Sequence, residues 1–146
     1  MIHNLSAQNS LIQQWMHELR SVDIQQDRMR FRKNLERIGE IAAYEISKKL
    51  DYTDFITSTA LGEAETKVLA KQPVVATILR AGVPLHQGIL NYFDKADCAF
   101  IAAYRRHHRD GSFEIAQNYI TGPPLTDRVL IIADPIWLRE RLYYWL

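Results

Sequence analysis

Residues 73–91 read PVVATILRAGVPLHQGILN, and the fold class turns on how they are read. Pro73 to Leu79 is an apolar, β-branched run of strand length. Arg80-Ala81-Gly82 follows at once, and Val83-Pro84-Leu85 then opens a segment with Leu85, Ile89, Leu90 and Phe93 at helical spacing. Pro84 suits the first helical turn, where a missing N–H costs nothing. The order is strand, tight turn, helix. In an open α/β sheet, ligands bind beyond the carboxyl ends of the strands. Arg80 stands at that end, beside the N–H groups of the next helix. A fixed cation next to a helix N-terminus favours a phosphate or another anion. The alternative is an arginine that caps a neighbouring helix or pairs with a surface carboxylate. No P-loop or full Gly-rich fingerprint accompanies it.

Upstream, Ser10 can cap a helix that carries Leu11, Ile12, Trp15, Met16 and Leu19 on one side. The segment from Ile24 to Leu50 also has a helical pattern, with Arg28, Arg30, Arg32, Lys33 and Arg37 among its apolar positions. Those cations read as a solvated face with a few ion pairs. Asp51 to Asp54 ends the helix, Phe55 to Leu61 is a short extended piece, and Gly62 breaks it. Glu63 to Leu69 reads as one or two helical turns.

Downstream, Cys98 to Tyr104 is a second apolar strand. Arg105-Arg106-His107-His108-Arg109 comes next, and Asp110-Gly111 is a hairpin turn signal. Ser112 to Ile120 alternates as a strand, so the pair predicts a β-arm that leaves the sheet. Arg128 to Ala133 is a third buried strand, closed by Asp134-Pro135. Strands separated by helical segments predict a parallel sheet with crossover helices. Arg105 and Asp134 then stand at strand ends like that of Arg80. If the three strands are neighbours, two arginines and one carboxylate share a crevice suited to phosphate and hydroxyl groups. His107 and His108 are adjacent and face opposite ways on a strand, which favours solvated arm residues over metal ligands.

Composition sets the bounds. A chain of 146 residues, 47% hydrophobic and 24% charged, is expected to be one ordinary globular domain. A net charge of +1 gives no electrostatic argument for nucleic acid or an anionic membrane. No apolar run has the length of a membrane span, and MIHNLSAQNS lacks a signal-peptide pattern. Cys98 is the sole cysteine, so there is no disulfide frame, and it is expected to be inert core. The cytoplasm is the expected compartment.

PVVATILRAGVPLHQGILNYFD, FIAAYRRHHRDGSFEI and VLIIADP together resemble the uracil phosphoribosyltransferases, of the type I phosphoribosyltransferase fold. The resemblance covers most of the chain. It implies one domain over 1–146, with N-terminal helices in 1–50 and the core strands and β-arm in 73–135. The implied activity is that of a glycosyltransferase of pyrimidine salvage. Phosphoribosyl pyrophosphate (PRPP) and uracil would give UMP and pyrophosphate, with Mg²⁺ accompanying PRPP. By the family pattern Arg80 and Arg105 hold pyrophosphate and phosphate oxygens, Asp134 opens the PRPP loop with Pro135 and faces the ribose, and the enzyme is a homo-oligomer. No protein-bound metal site is implied.

The sequence departs from that pattern after Pro135. There the family reads Met-Leu-Ala-Thr-Gly-Ala-Ser or a close variant, whose small residues wrap a phosphate with backbone N–H groups. This chain has Ile136-Trp137-Leu138-Arg139-Glu140-Arg141-Leu142 and then Tyr143-Tyr144-Trp145-Leu146. Write the family loop as ATG TTG GCT ACG GGA GCG TCT and delete the first G. The text becomes ATT TGG CTA CGG GAG CGT CT, which encodes Ile-Trp-Leu-Arg-Glu-Arg-Leu. The expectation is a frameshift after Pro135, an aberrant tail over 136–146, an incomplete fold and an inactive chain. Two other classes are weighed: an RNA-binding regulator of pyrimidine genes built on the same fold, which needs a basic surface, and a non-catalytic oligomer partner.

Overall fold

The computed structural model describes residues 2–107 and 113–135, with side chains described for all of these but 103–107 and 113–118. Helix α1 spans Leu11–Arg20 and α2 spans Arg28–Ser47. Ser10 does occupy the N-cap position of α1, but its side chain makes no capping bond, contrary to the sequence reading. The effective cap is on α2. Asp27 accepts from the backbone N–H groups of Met29 and Arg30, so α2 starts at Arg28 rather than Ile24. The basic residues of α2 behave partly as expected, since Arg30 pairs with Glu18 and Lys33 with Glu36.

Strands β1 (Tyr52–Thr59) and β2 (Gly62–Leu69) form a two-stranded antiparallel hairpin. The helical reading of Glu63 to Leu69 is therefore wrong. Gly62 takes φ 135°, a value that suits glycine, and turns the chain back. Thr57 and Thr66 then join hydroxyls across the strands at 2.9 Å, and Lys67 pairs with Asp54 at 2.9 Å. Nearly every residue of the hairpin is exposed, so no buried face imposed the period-two apolar pattern that marks a strand.

The main sheet holds β3 (Val74–Leu79), β4 (Asp97–His107), β5 (Phe113–Thr121) and β6 (Leu130–Ala133) in the order β5-β4-β3-β6. Strand β3 is parallel to both β4 and β6. The three apolar runs are thus neighbours, which meets the condition that the shared crevice of the sequence reading needs. Residues 74–77 of β3 are all buried, which is why the run is continuous in apolar character. Pairing of β3 with β4 stops at Leu79 and Ala102, and the β4–β5 register shifts between Ala102 and Ala103. From there to His107 the two strands pair only with each other, and the arm leaves the sheet at that irregularity. Strand β6 starts at Leu130 rather than Arg128, whose guanidinium holds the starts of β3 and β4 instead. That group pairs with Asp97 and donates to the carbonyls of Gln72 at 3.2 Å and Pro73 at 3.3 Å.

Helix α3 (Val83–Leu90) lies between the sheet and α2. Pro84 stands in its first turn, as read from the sequence. The helices cross at Gly39 and Gly88, where a Cβ on Gly88 would sit 1.9 Å from the Glu36 carbonyl oxygen. Ala43, Val75, Ile89, Phe93, Ile131 and Ala133 form the core on that side, and Val74, Ala76 and Ala99 cluster separately. Cys98 is half-buried rather than core, and burial pushes its thiol pKa up, with the Asp97 charge adding to the shift. That keeps it protonated and inert.

His86 on α3 is buried at 4% exposure, its Nε2–H donating to the Val75 carbonyl at 3.1 Å and its ring 5.4 Å from that of Phe100. Burial lowers its pKa, and the bond to Val75 opposes this only in part. Folding therefore favours the neutral imidazole. The stability this gives is fully present above the ordinary histidine pKa near 6.5 and is lost as pH falls through the lower folded value. The expected outcome in urea titrations is a fall in unfolding free energy as pH drops below about 6.5, with a slope of at most about 1.4 kcal/mol per pH unit. His86→Gln should flatten that segment; an unchanged slope would remove His86 as its source.

Candidate active site at the carboxyl ends of β3 and β6

The site is set by a turn with no room in it. After Leu79 the chain passes through Arg80-Ala81-Gly82 into α3, with the Leu79–Arg80 peptide cis. The Gly82 N–H donates to the Ile78 carbonyl at 3.1 Å, and the Gly82 carbonyl accepts from His86 at 2.9 Å. A Cβ on Gly82 would meet Thr77 Oγ1 at 2.1 Å, the Ala133 carbonyl oxygen at 2.5 Å and the Ile78 carbonyl oxygen at 2.9 Å. Only a glycine lets the turn lie this close to the ends of both strands.

Thr77 ties the same corner from below. It is fully buried, and its hydroxyl donates to the Ala133 carbonyl at 3.2 Å. Thr77 and Ala133 are also register partners of β3 and β6. Asp134 is next after Ala133, so it comes level with Ile78, two residues before Arg80 on the adjacent strand. Arg80 and Asp134 thus stand on one edge of the sheet, on neighbouring parallel strands. Asp134 and Pro135 are half-buried, and Arg80 is exposed. The Arg80 carbonyl accepts from the Val83 N–H at 3.3 Å, but among the described residues its guanidinium has no hydrogen bond or ion pair, so the capping and ion-pair readings find no partner there. Asp134 is engaged in an interaction of its own.

Arg105 is placed differently from the sequence reading. It is not at the end of its strand but inside β4, three residues past the last pair with β3, in the part that pairs only with β5. That puts its backbone roughly 10 Å further out along the arm. Its side chain, with those of His107 and the whole of His108, lies outside the described residues. Thr77 and Gly82 are the residues that sequence reasoning missed. The available signals were a threonine inside an otherwise apolar strand and a glycine just ahead of the helix.

Among the described residues no group of three His, Cys, Asp or Glu side chains could hold a metal ion, and no helix is long and apolar enough to cross a membrane. The sequence profile of the uracil phosphoribosyltransferase family matches residues 6–137. A uracil phosphoribosyltransferase of Porphyromonas gingivalis is 51% identical over 136 residues, covering 93% of this chain and 62% of its own length. One of Thermococcus sibiricus is 36% identical over 122 residues, covering 82% and 51%. The solved structure of the AQ2163 protein from Aquifex aeolicus superposes with a TM-score of 0.76 at 27% identity, covering 92% of this chain and 62% of that one. The chain therefore spans about three fifths or less of the length of these proteins.

The corner gives a direct expectation. Gly82→Ala forces the turn off the two strand ends, and overpacking against backbone atoms should cost about 1–3 kcal/mol of stability. Ala81→Ser, at the exposed neighbouring position, should stay within about 0.5 kcal/mol. Urea midpoints of the two variants check this, and equal midpoints would show that the turn yields without strain.

Proposed function

The chain belongs to the uracil phosphoribosyltransferase family, and on that premise we propose that it forms the PRPP-facing part of an enzyme that makes UMP and pyrophosphate from uracil and PRPP. What supports this reading most is the placement of Arg80 and Asp134 at the carboxyl ends of adjacent parallel strands, with the turn between them fixed by Gly82 and Thr77. In the reaction a bond forms between N1 of uracil and C1 of the ribose. The bond from C1 to the pyrophosphate oxygen breaks, and the N1 proton leaves to solvent. C1 becomes cation-like while negative charge gathers on the leaving group.

In this proposal Arg80 contacts the departing pyrophosphate, and Arg105 contacts phosphate oxygens from the arm. The carboxylate of Asp134 faces the ribose, where its charge favours the sugar cation, and Pro135 fixes the start of the loop. The Arg80 cation is held by a turn that cannot shift, so little reorganisation is needed as charge develops. Mg²⁺ entering with PRPP fits a site with a single carboxylate, because this ion is held largely by substrate oxygens and water. Asp134 is the residue that would ligate it, and the ion would add positive charge beside the leaving group. A homo-oligomer in the cytoplasm belongs to the same proposal and rests on the family alone.

The sequence after Pro135 sets a condition on activity. Likeness to the family profile runs to residue 137, and residues 136–142 carry Trp137, Arg139 and Arg141 where the family has small side chains. A one-base deletion after codon 135 accounts for that order. DNA sequencing checks it, since the shifted frame downstream should encode a phosphoribosyltransferase tail. The 146-residue chain itself is expected to form no UMP. Removing one aimed donor from a charged site costs roughly a hundredfold or more in rate, and a whole backbone cradle is replaced here. Uracil-dependent pyrophosphate release by the purified chain would overturn this.

The test of Arg80 places Met-Leu-Ala-Thr-Gly-Ala-Ser at positions 136–142 and measures PRPP binding by calorimetry. Arg80→Ala should weaken it by about one to two decades, the worth of a charge-assisted contact of roughly 1.5–3 kcal/mol. Arg80→Lys should recover part, having a point charge but no planar fork. Lys95→Ala, exposed at the opposite edge of the sheet, is the control. If Arg80→Ala leaves affinity intact, Arg80 is not a phosphate ligand.

A further inference from the structure

A cleft of about 620 Å³ opens between α1, α2 and the Arg80 turn. Its apolar wall comes from the two helices, with Leu19, Phe31, Leu35 and Ile38 among the lining residues. Arg20 at the end of α1, Arg32 on α2 and Arg80 line it as well, and among the described residues no Asp or Glu does. Among the described residues none of these guanidinium groups has a hydrogen bond or ion pair. Their neighbours do: Arg30 pairs with Glu18 and Asp27, Lys33 pairs with Glu36, and Arg37 donates to Asn34. Arg30 and Lys33 thus have carboxylate partners, while the three arginines that line the cleft have none among the described residues.

Three like charges from three separate elements raise a positive potential over an apolar concavity. A concave apolar pocket with a few convergent polar groups is the usual form of a small-molecule site, and this volume falls in the usual range. We propose that the cleft binds a small organic anion with an apolar body, whose phosphate or carboxylate head lies between the guanidinium groups of Arg20, Arg32 and Arg80. The body lies on Phe31, Leu19, Leu35 and Ile38. A ligand seated there engages Arg80 and competes with PRPP for it. This competition rests on the reading of Arg80 as a PRPP contact; binding in the cleft does not.

The test uses 1-anilinonaphthalene-8-sulfonate, an aromatic anion that fluoresces in apolar sites, and its uncharged counterpart N-phenyl-1-naphthylamine. The anion should bind the 146-residue chain saturably and one to one. The double variant Arg20→Ala with Arg32→Ala should weaken that binding by about tenfold or more while leaving the uncharged probe unaffected. Both arginines are exposed, and circular dichroism checks that the variant folds. Equal loss of both probes, unchanged binding of the anion, or many weak sites would overturn the cleft. Inorganic pyrophosphate should displace the anion. If it does not while the double variant still discriminates the probes, the cleft stands and the shared use of Arg80 is overturned.

Discussion

The contact on which the rest of this structure depends is the approach of the Gly82 backbone to Thr77 and the Ala133 carbonyl. It joins the turn after β3 to the end of β6 at a spot where even one added carbon has no space. Two strands and a helix meet there, and the register of β3 with β6 is set within the same few ångströms. A side chain on such a turn inherits its rigidity. Arg80 is long and exposed, and it stands on a backbone turn packed closely against two strand ends.

The same close approach recurs one layer away. Helices α2 and α3 cross at Gly39 and Gly88, close enough that a methyl group on either would enter the other's backbone. Close crossing lets α3 lie deep between α2 and the sheet, with Ile89 buried at 3% and Phe93 at 3%. The starting position of α3 is therefore held from both ends, by Gly82 at the strand and by Gly88 at the helix. Asn91 adds polar ties at the far end, donating to Glu36 at 3.2 Å and to Glu40 at 2.8 Å. The site edge is stiff because its supporting helix cannot slide.

Much of this was legible in the residues, and the failures have physical causes. The β3, turn and α3 order came from a continuous apolar run and from Pro84, since a strand buried on both faces has no use for polar residues. The β-arm came from Asp110-Gly111 and the alternation after it. The β1–β2 hairpin was misread because its faces are exposed, so cross-strand pairs such as Thr57 with Thr66 carry the information that burial normally carries. Asp27 does not stand out as a cap because the helical reading begins three residues earlier, at Ile24, where the structure has turns. Thr77 and Gly82 stand out locally only as a threonine in an apolar strand and a glycine ahead of a helix, because their role is a contact with Ala133, 56 residues from Thr77, that no local pattern encodes. Arg105 was set at a strand end because the apolar run stops there, whereas backbone pairing continues with β5 to His107.

Two kinds of anion recognition place opposite demands on a chain. A cation of the Arg80 kind needs a small, rigid turn, which Ala81 and Gly82 supply, and its charge acts across several ångströms. A backbone cradle needs successive N–H groups in reach of the phosphate, so every side chain around it must be small. Residues 136–142 have the bulk and charge of Trp137, Arg139 and Arg141. Adding cations there does not replace the cradle, because a guanidinium on a flexible stem loses rotamer entropy that a fixed N–H does not. Long-range attraction of an anion to this edge and its close-range fixing are therefore separable. Under the proposed function and the proposed cleft, the first falls to Arg80 together with Arg20 and Arg32, and the second to the residues beyond Pro135.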